Sequence, residues 1–267
     1  MKLRPIAGIM LRQFYLFRGS PVRVLPLFAW AAIDIVLWGF ITRYLNSVSG
    51  SGINFVTTLL GAVLLWDLFT RIMQGVTTAF LEDVWSRNFL NLFATPLSLS
   101  EYVLGLVLTS ILTSMIGLTV MLLLAVPIFG LPFFTMGLLL IPFLFVLFCF
   151  GIALGVFASA LVLRLGPASE WLVWPMPALL SPFACVFYPL AVLPPWMRII
   201  AYALPPSYVF EGMRAVISGH AFSLSVLLWG AALAVFDIVL AALLFSRVYR
   251  YAVRSGLLAR YSAETVS

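Results

Sequence analysis

Asp34, Asp67, Arg71 and Asp237 stand inside apolar stretches of this 267-residue chain. A charge near the centre of a bilayer costs at least ~2.5–3.5 kcal/mol on the mildest scale, so each such residue needs a partner or a use. Asp67 and Arg71 are four residues apart, the spacing at which two side chains meet on one helix face, and they can neutralise each other there. Two readings follow: a structural pair turned to the inside of a bundle, or a polar strip along a translocation path or between subunits. Asp34 and Asp237 have no basic neighbour in sequence, and each can pair across helices or carry protons. Tyr208, Glu211, Arg214 and His220 form a second polar group that could converge at one depth, as an intramembrane enzyme requires. They suit an anchor for surface helices equally well.

Other chemistries lack their residues. The only lysine is Lys2, outside any G-x-x-x-x-G-K-[ST], so the chain has no phosphate-binding loop of its own. A single histidine, His220, excludes H-E-x-x-H and reads as a boundary residue rather than a catalyst. No G-x-S-x-G is present, which leaves a serine-hydrolase elbow without support. Cys149 and Cys185 sit in apolar surroundings without C-x-x-C spacing and read as packing residues.

The elements that must position these groups are membrane helices. The chain is 64% hydrophobic and 9% charged, with a mean hydropathy of +1.15, and one apolar run follows another. The formal charge of +6 rests on 15 basic residues that mostly flank those runs, a pattern of membrane topology and not of nucleic-acid binding. At the start, Leu3, Ile6, Ala7, Met10, Phe14 and Phe17 gather on one side of a helical wheel with Arg4, Arg12 and Arg18 outside it, which predicts an interfacial helix over 1–19. Arg12 and Arg18 also interrupt any cleavable signal core. Gly19 can end this helix, and Ser20-Pro21 supplies a cap and a first-turn proline for the next.

The apolar runs predict six spans, over 21–44, 53–81, 99–128, 133–163, 170–190 and 222–249. In the fourth, Gly151, Gly155 and Ser159 repeat at i+4 as a small-residue stripe, and Pro142 is placed to bend the helix. In the fifth, Pro175, Pro177, Pro182 and Pro189 predict irregular backbone whose freed groups need partners from neighbouring helices. Residues 191–219, divided by Pro194-Pro195-Trp196 and Pro205-Pro206, predict two short helices that dip into the membrane surface and return. Between the second and third spans lies the longest polar-punctuated interval, 82–102. There Trp85, Phe89, Leu92 and Phe93 fall on one helical face, with Asp83, Arg87 and Asn91 on others. Pro96 ends that helix, and Ser98 with Glu101 makes a capping box that starts the next. This elbow is either an interfacial helix resting in the headgroups or a docking surface for a soluble partner. With six spans, the side holding both termini collects most of the arginines, against Arg43, Arg198 and Arg214 opposite, so the positive-inside rule puts the termini and the elbow in the cytoplasm.

With these pieces in place, the chain resembles the permease subunits of ABC-2 type exporters, the family of drug, nodulation-factor and polysaccharide export permeases. Glu82-Asp83-Val84-Trp85-Ser86-Arg87-Asn88-Phe89 through Thr95-Pro96-Leu97-Ser98 resembles that family's cytoplasmic coupling helix and the turn into its third span. Phe187-Tyr188-Pro189-Leu190, followed by Leu193-Pro194-Pro195-Trp196, resembles its pattern after the fifth span. Pro205-Pro206-Ser207-Tyr208, with Glu211 and Arg214, resembles its P-x-[ST]-Y-x-x-[DE]-x-x-R element, although Pro206 stands where leucine is commoner. The resemblance implies an all-α polytopic fold in the inner membrane and a pairing of two copies, a homodimer, on two separate ABC ATPase subunits that carry ATP and Mg. It assigns no cofactor and no catalysis to this chain. It further implies that Glu82, Asp83, Trp85, Arg87, Phe89, Leu92 and Phe93 meet the ATPase, the aromatics burying apolar area and the charges setting register. Trp38, Phe40, Trp171 and Trp174 suit a lipid-linked or amphipathic cargo, or simply a membrane interface. A proton-coupled carrier using Asp34, Asp67 or Asp237 is the alternative.

Overall fold

A computed structural model describes residues 3–49, 54–86, 88–133, 140–219 and 223–257. Lys2, Arg87, His220, Arg260, residues 50–53 of the first linker and the opening of the expected fourth span lie outside those residues. The described residues contain helices and turns and no strand.

Helix α1, Leu3–Arg18, forms where the first amphipathic helix is expected: it buries Ile6, Ile9 and Gln13 and exposes Leu11, Phe14 and Tyr15. The Gly19 amide closes it by donating to the Tyr15 carbonyl at 2.9 Å. Helix α2, Pro21–Val48, starts with the proline in its first turn; Ser20 holds the extended cap backbone, but its side chain makes no cap hydrogen bond. A π-helical turn, Val56–Leu60, leads into α3, Gly61–Trp85. Asn54 starts that turn, its Oδ1 accepting from the amides of Val56 at 3.1 Å and Thr57 at 3.3 Å.

Helix α3 is the central element, with fifteen buried residues from Gly61 to Asp83. It packs on α5, Leu99–Phe129, and on α6, Leu140–Leu165. The small-residue stripe of α6 is what permits the close approach: a Cβ added at Gly155 would lie 2.8 Å from the Met73 carbonyl oxygen of α3. Thr77 Oγ1 then donates across to the Gly155 carbonyl at 3.2 Å. The predicted capping box is formed in full: the Glu101 amide donates to Ser98 Oγ at 3.3 Å, and the Ser98 amide to Glu101 Oε2 at 3.1 Å. Gly130, at φ 70°, ends α5 in the left-handed region that side chains avoid. Pro142 falls in the first described turn of α6.

The last helix, α10, Leu224–Arg254, lies along α6. Leu227 and Ala234 share a cluster with Phe143 and Leu147, Phe245 and Ala252 share another with Val156 and Leu163, and the Arg164 guanidinium sits 3.9 Å from the Tyr251 ring centre. The two helices therefore run in the same direction, and the chain between them must return along the bundle.

That return departs from a regular span. Residues 166–193 hold a 3-10 segment, Pro167–Leu172, a five-residue helix α7, Met176–Leu180, and turns, the outcome its five prolines dictate. At one end Glu170 meets Trp85; at the other Leu190 meets Glu211. Helices α8, Pro195–Tyr202, and α9, Pro205–Ile217, follow, each opened by its double proline. Five helices among the described residues are long and apolar enough to cross a membrane: Phe28–Val48, Val56–Trp85, Leu99–Phe129, Leu140–Leu165 and Leu224–Arg254. The expected span at 170–190 is not among them, because its backbone is broken.

Candidate functional site

The elbow is built from the end of α3, helix α4 (Phe89–Phe93) and the start of α5. The sequence pattern predicts one short amphipathic helix over 82–95; instead α3 continues to Trp85, and the chain turns through Ser86 before five helical residues. The turn is held by Ser86 N donating to the Glu82 carbonyl at 3.0 Å and Asn88 N to the Asp83 carbonyl at 3.1 Å.

Asp83 does not lie on a partner-facing rim. It is 0% exposed and paired with the Arg12 guanidinium, and its Oδ2 accepts from Tyr102 Oη at 2.7 Å. One carboxylate thus ties together α1, α3 and α5. Burial by itself would lower the Arg12 pKa, but the hydrogen bond and charge of Asp83, with the charge of Glu82 behind them, raise it instead. The guanidinium therefore stays charged at every working pH. Leu92 and Phe93 also turn inward: both pack on the inner core cluster, with Phe93 5.3 Å from the Tyr102 ring and 5.0 Å from that of Tyr249. A five-residue helix next to a bundle buries its apolar residues against its own chain first. Outward remain Trp85, 45% exposed, with Asn91, Ala94, Thr95 and Pro96. Trp85 Nε1 donates to Glu170 Oε2 at 2.9 Å, which pins the elbow to the start of the irregular return segment.

Behind the elbow a cavity of about 630 Å³ runs between α1, α2, α3 and α5. Gln13, Phe17 and Glu82 line it near the α1 end; Asp34, Asp67 and Arg71 line it deeper along α2 and α3. Arg71 Nε lies 2.5 Å from Asp67 Oδ2, the i,i+4 pair that the spacing predicts, turned to the interior. Gly117 of α5 leaves the room for it, since a Cβ there would come within 3.1 Å of Arg71 Cδ. Asp34 falls within the electrostatic reach of Arg71 without forming an ion pair among the described residues. The opposite wall is a run of α5 hydroxyls, Thr109, Ser110, Thr113 and Ser114.

The sequence profile of the ABC-2 type transporter family matches residues 9–218, from the first buried turns of α1 to the end of α9. The chain belongs to the ABC-2 type transporter family. No curated protein matches it. Members of this family are generally non-catalytic membrane components that work with ABC ATPases, and the apolar helices make this transporter protein a multi-pass membrane protein.

The remaining predicted residues of the transporter separate by location. Asp237 lies half-buried on α10, outside the cavity. Glu211 and Arg214 bind backbone: Arg214 donates to the Cys185 carbonyl at 2.6 Å and to Glu211 at 2.8 Å, while Glu211 accepts from the Leu190 amide at 2.7 Å. Tyr188 and Tyr208 donate to the carbonyls of Pro182 at 2.6 Å and Tyr202 at 2.7 Å. These groups satisfy carbonyls and amides that the proline breaks free, which is the anchor reading. Pro189 precedes the 3-10 turn Leu190–Val192 and Pro194 caps α8; Trp196, exposed, meets the Phe183 ring edge-on at 6.2 Å. Sequence reasoning missed Arg12, Gln13, Glu170 and the α5 hydroxyls. The last had a signal, since 109, 110, 113 and 114 share one helical face in an otherwise apolar run.

Proposed function

We propose that this chain is the permease subunit of an ATP-driven exporter, working as a pair of copies with two separate ABC ATPase subunits that carry ATP and Mg. Family membership over residues 9–218 is the observation that carries the reading. In it, both termini and the elbow are cytoplasmic at the inner membrane, and residues 166–193 make a sixth, irregular crossing. The parallel run of α6 and α10 supports that crossing, since a chain that leaves one side on α6 must return before α10 can repeat the direction.

The ATPase contact falls on the outward residues of the elbow, Trp85 and the 91–96 turn, with Glu82, Arg87 and Phe89 completing the stretch. Nucleotide-driven movement there reaches the spans through two ties: Asp83 to α1 and α5, and Trp85 to Glu170 at the foot of the return segment. Cargo passes along the polar cavity, and a lipid-linked, glycan or hydrophobic drug-like substrate fits its mixture of aromatic and hydroxyl walls. Direction and cargo follow the family.

The test is co-expression with the ABC ATPase encoded beside this chain. The two co-purify, and Trp85→Ala weakens their association by roughly tenfold or more, the scale of a central aromatic anchor. Glu170→Ala, which removes the acceptor but keeps the indole, retains association. Transport by the purified chain with no ATPase would sink the reading. The proton-coupled alternative draws on one observation, the unpaired Asp34, and would show as transport that follows a proton gradient without nucleotide.

A further inference from the structure

Three hydroxyls of the α5 wall give their protons to backbone. Thr109 Oγ1 donates to the Gly105 carbonyl at 2.8 Å, Ser110 Oγ to the Ile72 carbonyl at 2.7 Å, and Thr113 Oγ1 to the Thr109 and Ser110 carbonyls at 3.1 Å. With their protons spent on backbone, these hydroxyls turn only lone pairs to the space. Asp34 and Asp67 add carboxylate oxygens, and the nearest cation, Arg71, is already engaged with Asp67. Asp34 forms no ion pair of its own among the described residues, so two carboxylates share the field of one guanidinium. Two deeply buried polar atoms of the lining, Gln13 Nε2 on α1 and Ser114 Oγ on α5, also lack a hydrogen-bond partner among the described residues, in residues 1% and 2% exposed. Buried polar atoms are normally hydrogen-bonded, so these two are open to a partner placed in the cavity. Trp30 and Trp174 stand on the same lining with much of their ring surface exposed.

We propose that this cavity binds an amphiphile whose head is a cationic amine or guanidinium. The head sits between Asp34 and Asp67, where it donates to carboxylate and hydroxyl oxygens and supplies the missing positive charge. The apolar body lies against Trp30 and Trp174, whose rings also favour a nearby cation. Gln13 Nε2 and Ser114 Oγ meet an oxygen on the ligand. An anion would be repelled by Asp34, and a neutral polyol would leave its charge uncompensated. That this ligand is cargo rests on the exporter reading above; that it binds does not.

The experiment uses the full chain in lipid nanodiscs and three probes that share one body: 1-naphthylmethylammonium, 1-naphthylmethanol and 1-naphthoate, titrated by calorimetry against empty nanodiscs. The ammonium binds about tenfold or more tighter than the alcohol, the factor expected of one charge-assisted contact, and the naphthoate more weakly than either. Asp34→Asn brings the ammonium down to the alcohol's affinity, Asp34→Glu restores the preference, and Asp237→Asn, outside the cavity, leaves it intact. Equal binding of ammonium and alcohol, tighter binding of naphthoate, no binding of any probe, or a preference that survives Asp34→Asn would each overturn the proposal. Ammonium-selective binding in a chain whose transport proves independent of nucleotide would keep this inference and sink the exporter reading instead.

Discussion

At the residue scale, Asp83 carries more of the inner end of the molecule than its place in the chain suggests. Its carboxylate is sealed from water and depends on Arg12 for charge and Tyr102 for a hydrogen bond. Removing Arg12 would leave that charge buried and unpaired, and breaking such a pair costs ~3–5 kcal/mol. Arg12→Ala is therefore expected to lower the melting temperature of the purified chain clearly, whereas Tyr102→Phe, which loses one hydrogen bond to a charged acceptor, costs ~1.5–3 kcal/mol. A double replacement, Arg12→Ala with Asp83→Ala, should recover part of the loss because the orphaned charge goes with it. If Arg12→Ala melted like the parent chain, the ion pair would be ornamental.

At the element scale, the seam between α3 and α6 is where side-chain size is least free. Gly155 faces the backbone of Met73 and the side chain of Val76, and nothing there is a flexible tip that can swing aside. Overfilling such a seam costs ~1–3 kcal/mol, so Gly155→Val should destabilise by that much in a thermal unfolding series. Gly8→Ala on α1, where an added Cβ meets nothing within 4 Å, is the matched control and should leave stability unchanged. Hydroxyls tie α3 to both neighbours: Thr77 Oγ1 donates across this seam to the Gly155 carbonyl of α6, and Ser110 Oγ of α5 donates to the Ile72 carbonyl of α3. In the proposed mechanism these contacts carry a shift of α3 at the elbow to α5 and α6.

At the scale of the whole molecule, the proposed topology makes a labelling pattern. Both native cysteines are buried, so single introduced thiols can be read in the unaltered background. Asn91→Cys on the elbow and Ala168→Cys at the foot of the return segment should react with a membrane-impermeant maleimide only from the cytoplasm, and Ala191→Cys only from outside. Reaction of 168 and 191 from the same side would remove the sixth crossing, and reaction of 91 from outside would invert the protein. In that topology the freed backbone groups of 166–193 need partners from the protein itself. Arg214 and Glu211 take up its freed groups at one end, and Trp85 meets it at the other.

What the amino-acid order determined by itself is everything that depends on near neighbours. The capping box at Ser98 and Glu101, the proline starts of α2, α8 and α9, the glycine end of α5, the small-residue stripe and the Asp67–Arg71 pair are contacts within a turn or two of helix, and their geometry follows from spacing alone. What only the tertiary structure decided is which way a side chain faces once several helices compete for it. On a wheel, Asp83 belongs with the charged rim and Leu92 and Phe93 with a docking stripe; in the bundle, Arg12 from some seventy residues upstream claims the carboxylate, and Tyr102 and Tyr249 claim the aromatic ring. The cavity is likewise a property of four helices at once. Burial, charge compensation and shape are long-range quantities, and no window of sequence contains them.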